Sequence, residues 1–364
     1  MRITGRQLDV LRRRLATQRL TSSPLGDPAE VVGLLTCVQS QERDHAFYSL
    51  GLRTRRASYA SVRAAHDTGA FLRTHILRPT WHFVRPEDLR WILALTSARI
   101  ESTMRARHAQ LGLDGDTVLG AAIDALGDML RGRNAMTRSE IGEEFLRQGG
   151  RIAAGEQLGH LLMIAELRGV ICSGPIKGVH HSYVLVDEVI EPAPELDPDD
   201  ALVRLVRRFF AGHGPASVRD FARWSSLTMT ATKAALVEIG DDLEAVEIEG
   251  TSLWFDPATA ARRSLRAASA FLLPAYDEAV LTYPHLNFPA ADGHPSAEHP
   301  DPFWTWIVYD HVNVGLWKRT VGKDVVTVET RIATSLGEEG RTAVQGAAEH
   351  LARFLGHDLD YREG

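Results

Sequence analysis

The chain has 364 residues, 44% hydrophobic and 24% charged, the composition of a globular protein with two or three domain-sized cores. It has no run of about 18 apolar residues, no apolar stretch behind its Arg-rich start, and only two cysteines, Cys37 and Cys172, far apart; a membrane span, a secretory signal, a disulfide scaffold and a zinc finger are excluded, and a reducing cytoplasm is the expected setting. The formal net charge is −6, but residues 1–107 hold 18 Arg, no Lys and 9 Asp plus Glu, which puts +9 there and −15 on the rest.

That separation suggests a polyanion-binding face at the N-terminal end. With four Lys in the whole chain, a general preference for Arg accounts for the choice of cation. It does not account for the split.

Gly5 to Leu20 reads as a basic helix. Asp27-Pro28-Ala29-Glu30 opens another, with an N-cap Asp, Pro at N1 and Glu at N3. Val31, Val32, Leu34, Leu35 and Val38 follow at helical spacing, and the polar run Gln39 to Asp44 ends that face. A third helix is expected over about 59–68, broken at Gly69. Two strand-like runs, Arg73–Leu77 and Thr80–Val84, hinge at Arg78-Pro79, which makes a helices-then-hairpin pattern of the winged-helix kind. Pro86 opens the next helix.

The pattern recurs twice. Thr137 to Glu140 is a capping box, Glu156–Arg168 a helix, and Val170–Cys172 with Tyr183–Val186 a hairpin around Gly174–Gly178. His180, His181 and Lys177 fall in that hairpin, where phosphate contact and plain surface both fit. After a Pro- and acid-rich linker over about 187–200, Ser217–Trp224 and Thr228–Ile239 form a helix-turn-helix. Leu243–Ile248 and Ser252–Phe255 form its hairpin.

Beyond about residue 265 the period changes to that of strands. Phe303–Tyr309, Asn313–Arg319 and Val325–Arg331 are expected to form an antiparallel meander, closed by a helix over 340–355. Pro289–Pro302 is a long loop with four prolines. Its His294, Glu298, His299 and Asp301, with His285 and Asp292, have the chemistry of metal ligands, but a Pro-rich loop suits solvated surface better. Trp304, Trp306 and Trp317 alternate as core residues do.

GxGxxG, GxxxxGK[ST], HExxH and GxSxG are all absent. The segment of most interest is Gln39-Ser40-Gln41, at the end of the capped helix and upstream of Arg53, Arg55 and Arg56. On its own, a glutamine pair at a helix end is ordinary surface.

Leu35–Thr54, LTCVQSQERDHAFYSLGLRT, resembles the QxQ segment of the AlkZ/YcaQ-like winged-helix DNA glycosylases. The stretches LRTHILRPTWHFVRPEDLRWILAL, AELRGVICSGP, VRDFARWSSLT, FLLPAYDEAVL and NVGLWKRT are similar to that family in the same order. The resemblance implies a mainly helical α+β fold. Tandem winged-helix units would lie in a C shape around DNA and end in an antiparallel β-rich domain, divided as 1–115, 116–190, 191–262 and 263–364. It implies a monomeric, metal-free and cofactor-free glycosylase of alkylated purines in double-stranded DNA, including interstrand crosslinks, in repair or self-resistance to alkylating natural products. Gln39 and Gln41 match its catalytic pair. Ser40 stands where crosslink-acting members carry an apolar residue, TYPHLNFP lacks the family's arginine, and His311 replaces a turn glycine.

Glutamine does not titrate, so neither residue is a general base. An N7- or N3-alkylated purine is already cationic and leaves readily. What remains is to hold a water beneath C1′ and to stabilise an oxocarbenium-like sugar. Residues i and i+2 share a side on extended backbone and diverge on a helix, so both must lie at the helix end or in a loop. Asp44 and Glu42 are nearby carboxylates that would serve as the base instead. Arg53, Arg55, Arg56, Arg73, Arg78 and His82 are the expected DNA contacts, chiefly to phosphates. The other readings are a winged-helix regulator without catalysis and a protein that sequesters a small molecule.

Overall fold

The computed structural model describes residues 4–150, 152, 154–260, 269–295 and 304–364. Its first part contains α1 (Gly5–Thr17), α2 (Pro28–Leu35), β1 (Cys37–Gln39), α3 (Arg43–Arg53), α4 (Tyr59–Asp67), β2 (Leu72–His75), β3 (Trp81–Val84) and the long α5 (Pro86–Gln110). The Asp27 carboxylate accepts the Ala29 and Glu30 amides, the cap expected from the sequence. The helix it starts ends at Leu35, not at Gln39. Thr36 takes φ 64°, a strained value for a β-branched residue, and turns the chain into β1. Val38 fits a helical face and a strand face equally, so apolar spacing did not reveal the switch. The expected third helix spans Tyr59–Asp67, and α3 between it and β1 had no counterpart in the sequence reading. Glu42 makes no side-chain cap there, and Ala46 to Gly51 are all buried, which erases the one-sided pattern.

A second group follows: α6 (Asp116–Leu130), β4 (Met136–Thr137), α7 (Arg138–Arg147), α8 (Gly155–Leu167), β5 (Ile171–Lys177), β6 (His180–Leu185) and α9 (Val186–Val189). The capping box Thr137/Glu140 forms as expected. The segment expected as a loop around Gly174–Gly178 is strand up to Lys177, with an irregular register that starts at Gly174.

The third group is α10 (Pro198–His213), α11 (Val218–Ser225), α12 (Met229–Ile239), β7 (Glu244–Ile248), β8 (Thr251–Phe255) and α13 (Pro257–Ala260). Its first helix starts inside the expected linker, on an Asp197 cap with Pro198 at N1. Gly212 of α10 lies against α2: a Cβ there would meet the Leu34 carbonyl oxygen at 2.2 Å.

The C-terminal group holds β9 (Ala270–Leu272), α14 (Glu278–Leu281), β10 (Thr305–Tyr309), β11 (Val312–Val321), β12 (Val325–Ile332), α15 (Glu338–Leu355) and β13 (Asp358–Glu363). These strands form one sheet in the order β13-β12-β11-β10-β9. It is mixed, which corrects the antiparallel expectation: β13 runs parallel to β12, because α15 carries the chain back across the sheet. The β10–β11 hairpin turns through Asp310 and His311, both at positive φ (44° and 69°), the geometry that favours glycine.

The small sheet β1-β3-β2 sits between two apolar clusters. Cys37, Leu72 and Val84 face one that reaches into α5, α10, α11 and α12. Val38 and Phe83 face another, shared with the C-terminal sheet and α15. Among the described residues no helix is long and apolar enough to cross a membrane.

Candidate active site

β1 is the edge strand of its sheet. It pairs antiparallel with β3, Gln39 opposite His82, and the Ser40 amide extends the pairing to the Trp81 carbonyl at 2.8 Å. Gln39 and His82 therefore share one face. Gln41 follows in a bend before α3, so the motif lies on non-helical backbone.

Gln39 is 6% exposed and its surroundings are polar. Arg78, in the β2–β3 connection, donates from Nη2 to the Gln39 side-chain oxygen and to His82 Nε2, the latter at 3.3 Å. His82 Nδ1 lies 2.9 Å from the Thr80 carbonyl oxygen. That carbonyl can only accept, so Nδ1 carries the proton and Nε2 receives Arg78. Burial, reinforced by the Arg78 charge, pushes His82 down to about 3.

The Gln39 amide N–H donates to Glu278 Oε1 at 2.9 Å, and Thr282 Oγ1 donates to Oε2 at 2.9 Å. His213 Nε2 lies 3.4 Å from Oε2. Burial alone would raise the Glu278 carboxyl. The His213 contact, the Gln39 amide and Arg78 outweigh it and hold it at about 2. An ionised carboxylate is thus locked behind the motif. On the other face Arg73 donates from Nε to the Ser40 carbonyl at 3.1 Å and from Nη2 to that of Gln41 at 3.3 Å. The Gln41 side chain is half-buried and makes no hydrogen bond among the described residues.

The expected DNA contacts divide sharply. Arg55 and Arg56 are exposed, and Arg78 is half-buried at the motif. Arg53 is fully buried and paired bidentate with Asp277, both contacts at 2.8 Å. A guanidinium with no exposed surface cannot meet a phosphate, so the expectation for Arg53 is corrected to an internal ion pair. His82 is likewise fully buried and belongs to the motif's support. Arg73 is nearly enclosed and ties the motif's backbone.

Asp44 accepts from Arg43 Nε and from the Tyr59 hydroxyl, each at 2.9 Å. Burial works to raise its carboxyl, and the Arg43 and Tyr59 hydrogen bonds and the Arg319 charge override it and lower it. Glu42 is exposed at the start of α3. Lys177 pairs with Glu140 at 3.0 Å. Trp317 is core, with its N–H on the Leu273 carbonyl, whereas Trp304 lies under Arg331 and Lys318. Glu298, His299 and Asp301 lie outside the described residues.

Sequence reading missed Asp277, Glu278 and His213. The signal for them was two adjacent carboxylates inside the apolar stretch FLLPAYDEAVL, a pairing that burial tolerates only with partners.

Residues 32–354 match the AlkZ-like DNA glycosylase family, described as DNA glycosylase AlkZ-like. A curated Streptomyces sahachiroi protein named interstrand DNA cross-link repair glycosylase is 25% identical over 252 residues, which cover 65% of this chain and 66% of that relative, just under two thirds of its length. The solved structure of Streptomyces sahachiroi DNA glycosylase AlkZ shares the fold, with a TM-score of 0.75 at 22% identity and full coverage of both chains. Since the family match takes in most of the sequence, the Gln39-Ser40-Gln41 segment included, the chain belongs to the AlkZ-like family of DNA glycosylases.

Proposed function

We propose that the protein hydrolyses the N-glycosidic bond of N7- or N3-alkylated purines in double-stranded DNA, with Gln39 and Gln41 as the catalytic pair. What carries this reading is the motif's placement at the end of an extended edge strand, clamped by Arg78, Arg73 and Glu278. An amide oxygen has two lone pairs. Arg78 occupies one on Gln39, and the second is left to accept from a water. Gln41, half-buried and without a hydrogen bond among the described residues, is the residue to orient that water beneath C1′. The buried negative charge of Glu278 offsets Arg78 and favours a developing oxocarbenium ion. Ordinary purines, which are poor leaving groups, would resist such a site.

The same reading takes the three helix–hairpin groups as winged helices that enclose DNA in a C-shaped monomer, in the divisions 1–115, 116–190 and 191–262, with 263–364 as the β-rich part. Interstrand crosslinks, the lesion for which the Streptomyces relative is named, and self-resistance to alkylating natural products are the finer extensions.

The test is release of free 7-methylguanine from methylated duplex DNA. Gln39→Ala and Gln41→Ala should each lower the single-turnover rate by roughly 10²–10³-fold, the scale of losing one electrostatic contact to a transition state. Undiminished release in both variants would remove the pair from catalysis. DNA binding by wild type with no release from any N7-alkylated duplex would favour a non-catalytic regulator.

A further inference from the structure

The sheet face opposite Gln39 borders a cleft of about 360 Å³ between the β2–β3 hairpin and the start of α7. Arg73, Trp81, Thr137, Arg138, Ser139 and His181 line it, and none of its lining residues is acidic. In a chain with more acidic than basic residues, that is a selective environment.

Several of its donors are unspent, although Arg138 Nη2 donates to the Gly155 carbonyl. Arg73 commits Nε and Nη2 to the Ser40 and Gln41 carbonyls, and Nη1 has no hydrogen bond among the described residues. The Trp81 indole N–H and both ring nitrogens of His181 are shielded from water and have no partner among the described residues; burial keeps His181 neutral, so one of its nitrogens donates and the other accepts. At the start of α7, Thr137 caps the Glu140 amide, and the Arg138 and Ser139 amides are left as first-turn orphans. Glu140, the acid of this first turn, is already held by the Thr137 amide and Lys177. Free amides, the remaining Arg73 donor and an indole N–H around one recess, with the Arg138 charge at its edge, suit an anion with several acceptor oxygens.

A nucleobase fits less well. The Arg73 guanidinium lies 4.2 Å from the Trp81 ring centroid, and the His75 ring lies 4.4 Å from it. Both neighbours crowd the indole that a base would need as a stacking platform, and its enclosed N–H is without a partner among the described residues.

We propose that this cleft seats a backbone phosphate of the DNA beside the Gln39–Gln41 segment. The inference rests on DNA as the substrate, as proposed above. Arg73 then has two tasks: it meets the phosphate and holds the backbone of the catalytic pair, so that docking the strand sets the motif's position.

The experiment measures affinity for a short undamaged duplex over a range of salt, with wild type, Arg138→Ala and Trp81→Phe. Arg138 is exposed but its guanidinium donates to the Gly155 carbonyl, so the melting temperature is measured beside the affinity and the binding comparison is made well below it. Arg138→Ala should weaken binding roughly tenfold, the scale of a charged hydrogen bond, and reduce the log–log salt slope by about 0.9, the loss of one neutralised phosphate. Trp81→Phe removes a neutral donor. It should weaken binding and leave the slope unchanged. Wild-type affinity and slope in both variants would overturn the phosphate site. Failure of wild type to bind any duplex would overturn it together with the reading it rests on. Duplex binding without base release would end only the glycosylase reading, and the two variants would still decide the phosphate site.

Discussion

Arg53 and Asp277 are both removed from water, and their fork-to-fork contact is joined by Ser49 and Gln18. Removing one member leaves the other charge buried and unpaired, which typically costs about 3–5 kcal/mol. Arg53→Met should lower unfolding free energy by about that amount in urea titration. Arg53→Met with Asp277→Leu should recover most of it, and an undisturbed single variant would refute the pairing. The sequence presented Arg53 as one more basic residue beside Arg55 and Arg56. Its partner lies 224 positions away, so no local pattern could separate the buried arginine from the exposed ones. The buried titratable groups at the motif also fix an acid response. His82 falls from an ordinary 6.5 to about 3, so the unfolded chain binds the proton first. Its contribution is complete above pH 6.5 and is lost as the pH falls toward 3; Glu278, lowered from 4.5 to about 2, adds in the same direction at lower pH. Stability should hold from pH 8 to 7, then decline below 6.5, where His82 adds a slope approaching about 1.4 kcal/mol per pH unit to the contributions of His45, His66, His181 and His350, which burial also lowers. His82→Gln should flatten the decline between pH 6.5 and 5. Parallel curves for the two proteins would remove His82 as one of its sources.

At the scale of elements, whatever was written locally could be read. Caps at Asp27 and Thr137 and the turn residues of the first and third hairpins placed their helices and strands within a few residues. Elements whose formation depends on distant contact could not be placed. Cys37–Gln39 becomes a strand only because β3 lies alongside it, and Asp358–Glu363 only because β12 does. The sequence singled out Gln39 and Gln41 but not the strand on which Gln39 lies. The α2–α10 contact shows how that strand is held. Gly212 packs so closely that an added Cβ would meet backbone, with no flexible side chain to give way. Gly212→Ala must push α2 and α10 apart, and α2 leads through Thr36 directly into β1. Overpacking of this kind costs about 1–3 kcal/mol. The variant should lose stability in that range and also release less 7-methylguanine per bound duplex, because Gln39 moves with the strand. A variant with lowered stability but full release would show that α10 supports α2 without fixing the motif.

For the whole molecule, charge is the property that the sequence displayed most openly and that the fold most strongly redistributes. Of the excess positive charge on residues 1–107, part is turned inward: Arg53 neutralises Asp277, Arg73 holds carbonyls, and Arg78 serves Gln39. Arg90 and Arg107 are spent on Asp187 and Glu156. Arg55 and Arg56 are different. They are exposed, directly follow α3, and form no ion pair among the described residues. If duplex DNA is drawn to this end of the chain, affinity must come from such free cations, because a guanidinium already paired releases no counterion from the DNA. Net charge then matters less than its placement, and a protein of charge −6 can still bind a polyanion. Arg55→Glu should weaken binding to undamaged duplex and lower the salt slope by roughly 1, with no change in melting temperature. Arg90→Glu, which breaks an exposed pair with Asp187, should alter the slope far less. Equal slopes for wild type and Arg55→Glu would mean that the DNA approaches from another side.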